Sequence, residues 1–91
     1  MPRIKKKVVV KNKQGLHARP AALFVQVANK FDSRITLRRD KDTEEVNGKS
    51  IMGILMLGVE TNTPVVLEAD GQDAERAIEE LEKIISSEKD T

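Results

Sequence analysis

The chain has no cysteine, tryptophan or tyrosine, and a single histidine. Without thiols, disulfides, cysteine-ligated zinc and thiol catalysis are all excluded. One imidazole falls short of a conventional metal site, which generally draws on several nitrogen or sulfur ligands, and no cofactor is implied. Aromatic residues make up 2% of the chain, both of them phenylalanine, too few for a platform on which nucleic-acid bases would stack. Charge of one sign is also missing. The 16 basic residues against 15 acidic ones leave a net charge of +1, so no global field draws the chain to nucleic acid. No apolar run approaches the roughly 18 residues of a membrane span. The basic start is followed only by Val8-Val9-Val10 before Lys11, too little for a secretion signal. These features predict one cytoplasmic domain over 1–91 that does not insert into membranes, with room for one modest core.

What is present is patterned. Residues 5–12 are β-branched and partly alternating, which predicts a strand, with Lys13-Gln14-Gly15 as the turn after it. A helix over 18–30 would place Pro20, Phe24, Val27, Ala28 and Phe31 on one core stripe. Residues 33–39 alternate, Ile35 and Leu37 facing in and Thr36 and Arg38 facing water, as a strand with one solvated side does. After the polar turn Asp40-Lys41-Asp42, a short strand can return over 44–47. Gly48 breaks the pattern, and Ser50 suits the N-cap of a short apolar helix over 51–57 that ends near Gly58, with Ile54 and Leu57 in the core. A turn at Asn62-Thr63-Pro64, a strand over 65–69 and a break at Asp70-Gly71 follow. From 73 to 86, Ala74, Ala77, Ile78, Leu81, Ile84 and Ile85 keep steps of three and four, the mark of an amphipathic helix, with Glu75, Glu79, Glu80 and Glu82 toward water. Residues 86–91 read as a frayed tail. The order βαββαβα, three one-sided helices and a one-sided sheet, predicts an α+β two-layer sandwich with the helices on one face. The clusters Arg3, Lys5, Lys6, Lys7 and Arg38, Arg39, Lys41 read as solvated surface.

The densest chemistry lies in Gly15-Leu16-His17-Ala18-Arg19-Pro20-Ala21-Ala22, which sets the histidine where a strand has ended and a helix begins. A helix start has N–H groups without intrahelical partners and the positive end of the macrodipole, and phosphate binds there readily. Pro20 suits the opening turn, and Gly15 frees the approach. Such a position favours the neutral imidazole, whose ring nitrogen is a nucleophile. Arg19 adds a permanently charged fork matched to phosphate oxygens. Taken alone, a histidine at a helix start is more often a solvated or capping side chain.

The octapeptide resembles the active-site signature of the HPr family, the histidine-containing phosphocarriers of the phosphoenolpyruvate-dependent phosphotransferase system. A second segment, Asn47-Gly48-Lys49-Ser50-Ile51-Met52-Gly53-Ile54-Leu55-Met56-Leu57-Gly58, resembles the surroundings of that family's regulatory serine. The resemblance runs from about residue 5 to 86. It implies an HPr-like open-faced sandwich, a four-stranded antiparallel sheet covered on one face by three helices. It also implies a monomeric carrier rather than an independent enzyme. His17 would take a phosphoryl group on Nδ1 from enzyme I and pass it to an A-type enzyme II domain, with Arg19 assisting the transfer. Ile51, Met52 and Leu55, with Leu16 and Ala22 near the histidine, would form an apolar docking patch, to which adaptable methionine is suited. Each of these is otherwise a core residue. Ser50 would be the target of an HPr kinase/phosphorylase. A phosphate there would add about two negative charges beside the patch, weakening docking, and the resemblance implies a transcriptional regulator as the partner of that form; otherwise Ser50 is a cap.

Other classes fit less well. Gly48-Lys49-Ser50 ends a P-loop pattern, but its first glycine would fall on Thr43. A regulatory module of the same fold is the stronger alternative, although HPr-like corepressors lack the histidine that stands here at position 17. The sugar and nitrogen branches of the family both stay open. A small nucleic-acid binder is opposed by charge balance and the paucity of aromatics.

Overall fold

A computed structural model describes residues 2–88. The elements follow in the order β1 (Arg3–Val9), α1 (Ala18–Ala28), β2 (Arg34–Arg39), β3 (Val46–Asn47), α2 (Ile51–Leu57), β4 (Pro64–Asp70) and α3 (Ala74–Ile85). This is the predicted βαββαβα order. The strands form one antiparallel sheet ordered β1-β4-β2-β3. Because side chains alternate across a strand, the register stacks Ile4, Ala69 and Ile35 in one row and Val8 and Val65 in another, all toward the helices. Leu67 and Leu37 fill the row between them. α3 packs on β1 and β4, α1 against α3 and α2, and α2 over β2 and β3. The core between the layers is completed by Phe24, Ile54, Leu81 and Ile85.

Boundaries differ from the sequence expectation where hydrogen bonds compete. β1 begins at Arg3 and stops at Val9, because Val10 pairs with the chain at Asn62 and Thr63 while Lys11 and Asn12 turn to α3. α1 ends at Ala28, two residues early. Its last turn tightens, with the Lys30 N–H donating to Val27 and that of Phe31 to Ala28, as helix ends commonly do. β3 shrinks to two residues, while β4 gains one residue at each end. Thr36 is buried rather than solvated, since on a central strand it lies between Glu68 of β4 and Asn47 of β3. Leu57 is only partly buried at the edge of the core.

The second basic cluster is also more than solvated surface. The Arg38 guanidinium donates to the carbonyls of Arg39, Asp40 and Asp42, closing the β2–β3 turn. Arg39 Nη2 donates to the Gly58 carbonyl at 2.7 Å, just past the end of α2. Of the expected tail, residues 89–91 lie outside the described part. Ser86 is held by its N–H and hydroxyl to the Glu82 carbonyl.

Candidate functional site

The site begins with a turn that only glycine accommodates. The Gly15 N–H donates to the Asn12 carbonyl at 3.0 Å, and Gly15 adopts φ +73, a left-handed conformation that side chains resist. A Cβ here would lie 2.2 Å from the Val59 carbonyl oxygen and 2.8 Å from Glu60 Cα. The next N–H, that of Leu16, donates to the same Val59 carbonyl at 2.9 Å. The chain leading to His17 is therefore pressed against the residue that follows Gly58, the C-cap of α2.

His17 is the N-cap of α1, with extended φ −86 and ψ −168, and its carbonyl accepts the Ala21 N–H at 3.0 Å. Its side chain makes no capping hydrogen bond. The half-buried imidazole thus stands at the helix's positive end rather than closing it. Arg19 is exposed in the first turn, and Pro20, in the same turn, is buried. The first turn holds no acidic residue to compete for a bound anion.

α2 presents the second part of the site. Ser50 is its N-cap, the hydroxyl accepting the Gly53 N–H at 3.1 Å, while Gly58 closes the helix at φ +60. A seven-residue helix that is apolar all round has only one side to bury. Ile54 faces the core, and Ile51, Met52 and Leu55 are exposed, Met52 at 63%. Met56, at 79%, belongs to the same exposed face and was missed in the sequence reading. Its signal was its spacing, one turn beyond Met52. The helix is about 10 Å long, so Ser50 and the end tied to the His17 loop are separated by roughly that distance. Ala22 is half-buried on α1.

One expected patch residue is not on the surface. Leu16 is 3% exposed and belongs to the core, because the Leu16–Val59 hydrogen bond turns its side chain inward as an anchor for the loop. Sequence reading also overlooked Lys49, whose Nζ donates to the Phe31 carbonyl at 2.7 Å and ties the approach to α2 to the end of α1. Among the described residues no group of three or more histidine, cysteine or carboxylate side chains is placed to hold a metal ion. No helix among them is long and apolar enough to cross a membrane.

Comparison with known proteins gives a consistent pattern. A family model described as "PTS HPr component phosphorylation site" matches residues 4–87. The chain is 49% identical to the HPr-like protein Crh of Bacillus subtilis over 85 residues, 93% of this chain and 98% of that protein. The crystal structure of the phosphocarrier protein HPr from Bacillus anthracis superposes with a TM-score of 0.85 at 44% identity, covering 91% of this chain and 96% of the other. A crystal structure of an HPr dimer from Thermoanaerobacter tengcongensis shares 55% identity at a TM-score of 0.66, covering 81% and 83% of the two chains.

Proposed function

The chain belongs to the HPr family of the phosphotransferase system, whose members here act as phosphocarriers or HPr-like regulators, and from that premise we propose that it is a phosphoryl carrier. His17 accepts the group from phospho-enzyme I and delivers it to an enzyme II A domain. The observation that carries this reading is the chain's sole imidazole at the N-cap of α1, beside the positive end of the helix and two residues before the first-turn Arg19. In each transfer a ring nitrogen of His17 forms a bond to phosphorus as the donor's N–P bond breaks, and the reverse pairing releases the group to the acceptor. Positioning and charge stabilisation dominate such reactions, so Arg19 and the N–H groups opening α1 act while the phosphoryl group is between nitrogens. The exposed face of Ile51, Met52, Leu55 and Met56, with Ala22, is the docking surface.

The test is labelling with radioactive phosphoenolpyruvate, enzyme I and Mg²⁺. Acid-labile, base-stable label is expected on the native chain and none on His17→Ala; a folded native chain left unlabelled beside a competent enzyme I would refute the carrier reading. Arg19→Ala is expected to lower the transfer rate more than the affinity for enzyme I, and an unchanged rate would remove Arg19 from the mechanism.

The likeness to Crh, whose solution structure is described as that of the Bacillus subtilis catabolite repression HPr, supports a second, regulatory reading in which Ser50 receives a phosphate from an HPr kinase/phosphorylase and the product meets a transcriptional regulator. The two readings coexist if His17 and Ser50 are used under different conditions. His17 favours the carrier as the primary role, because corepressors of this fold lack that residue.

A further inference from the structure

Asn12 is 1% exposed, as deeply buried as the core around it, and it stands five residues before His17 where β1 has already ended. Its Nδ2 donates to the carbonyls of Ile84 and Ser87, both at 3.0 Å. The neighbouring Lys11 N–H donates to the Ile85 carbonyl at 2.9 Å. Carbonyls at a helix C-terminus have no intrahelical partner, so the loop entry serves as the cap of α3. The amide has one workable orientation, since a half-turn would set Oδ1 against two carbonyl oxygens. In the observed orientation Oδ1 is buried without a hydrogen-bond partner, so the side chain bears a desolvation cost that its two donated bonds must offset. Two independent features converge on the same residue, since its own carbonyl receives the Gly15 N–H that closes the turn into His17.

We propose that Asn12 is a positioning residue for phosphoryl transfer, fastening the entry of the His17 loop to the last turn of α3. The inference rests on the reading of His17 as phosphoryl acceptor. The loop's exit is anchored independently of Asn12, with Leu16 in the core and Gly15 against Val59 and Glu60. Without the Nδ2 donors only the entry can shift. The Asn12–Gly15 turn then gains freedom, and the imidazole meets its donor over a wider spread of directions. The exposed face of α2 is anchored elsewhere, by Ser50, Lys49 and Arg39, and keeps its shape. The loss therefore falls on kcat and not on docking.

The experiment compares Asn12→Ala, Asn12→Ser and the α3 core variant Ile78→Val, which lies away from the loop anchors. It reads phosphoryl transfer from phospho-enzyme I over a range of carrier concentrations, together with the ring resonances of His17, unambiguous because no other imidazole is present. Asn12→Ala is expected to lower kcat roughly tenfold or more while KM stays within about twofold, and to shift or broaden the ring signals. Asn12→Ser, with one hydroxyl donor left, should fall between, and Ile78→Val should change neither readout. Native kcat and ring signals in Asn12→Ala, or the same losses in Ile78→Val, would overturn the proposal. If neither Asn12 variant folds, Asn12 serves folding alone and the proposal falls. Altered ring signals in a chain that never accepts label would instead count against the phosphoryl-acceptor reading, leaving the loop attachment intact.

Discussion

At the scale of single residues, a few backbone positions decide where the imidazole stands. Gly15 combines a positive φ with a backbone approach too close for any Cβ, so its replacement meets torsional strain and a clash together. Gly15→Ala is expected to lose roughly 2 to 4 kcal/mol of stability, measured by urea unfolding. A loss below about 0.5 kcal/mol would show that the loop relaxes away from Val59. The octapeptide was legible as chemistry because histidine, arginine, proline and glycine each have a distinct backbone or phosphate preference. Leu16 was not legible as core. Nothing in its neighbours announces that its N–H reaches a carbonyl 43 positions later, and that bond decides which way its side chain points. Asn12 was silent for the same reason, its partners lying more than 70 positions away.

At the scale of elements, α2 has to form a helix and present an exposed apolar face with only seven residues, the face that the proposed carrier reading uses for docking. Its ends carry its stability, Ser50 at the start and Gly58 with Arg39 at the finish. Ser50→Ala is expected to cost about 1 kcal/mol by removing the cap, while phosphoryl transfer at saturating enzyme I stays near native. Ser50→Asp retains a capping oxygen and adds charge beside Ile51 and Met52. Its folding stability should remain within about 1 kcal/mol of native while its affinity for enzyme I drops, as followed by titration calorimetry. An Asp variant that binds as tightly as the native chain would disconnect Ser50 from docking. Periodicity revealed the seven elements because each buries one face. It misplaced their ends, as at β1 and α1, where a main-chain donor found a partner outside its own element.

At the scale of the whole molecule, carboxylates and basic residues distant in sequence link the layers. Asp73 does not cap α3 with its side chain. It accepts instead from the Ser33 hydroxyl, from the Ser33 N–H at 3.0 Å and from the Asp32 N–H at 2.8 Å, joining α3 to the start of β2. The Ser33 hydroxyl first, and the Asp32 N–H after it, hold this carboxyl below its ordinary range. A group depressed in the folded state binds fewer protons there than when unfolded, so its contribution is complete above the unfolded value and is lost as pH falls through the folded one. Between about pH 6 and pH 3 the urea midpoint should therefore fall less steeply in Asp73→Asn than in the native chain, and equal slopes would exclude the contribution. The exposed edge strand β1 carries Lys5, Lys6 and Lys7, with Lys6 paired to Glu82 and Lys7 to Asp40, charges that discourage edge pairing with a second copy. Light scattering should give the monomer mass of 10.2 kDa, and twice that value would place this chain with the dimeric relative.

The sequence by itself determined the order of elements, the one-sided sandwich and the family, because hydrophobic period, helix caps and two short motifs are local properties that need no knowledge of distant contacts. Only the tertiary structure decided that Leu16 anchors the loop from inside, that Met56 extends the exposed face, that Arg38 and Arg39 bind carbonyls, and that Asn12 fastens the loop to α3. Each of these depends on which main-chain groups meet across the fold, and a donor's partner is set by the packing of whole layers rather than by its neighbours in the chain.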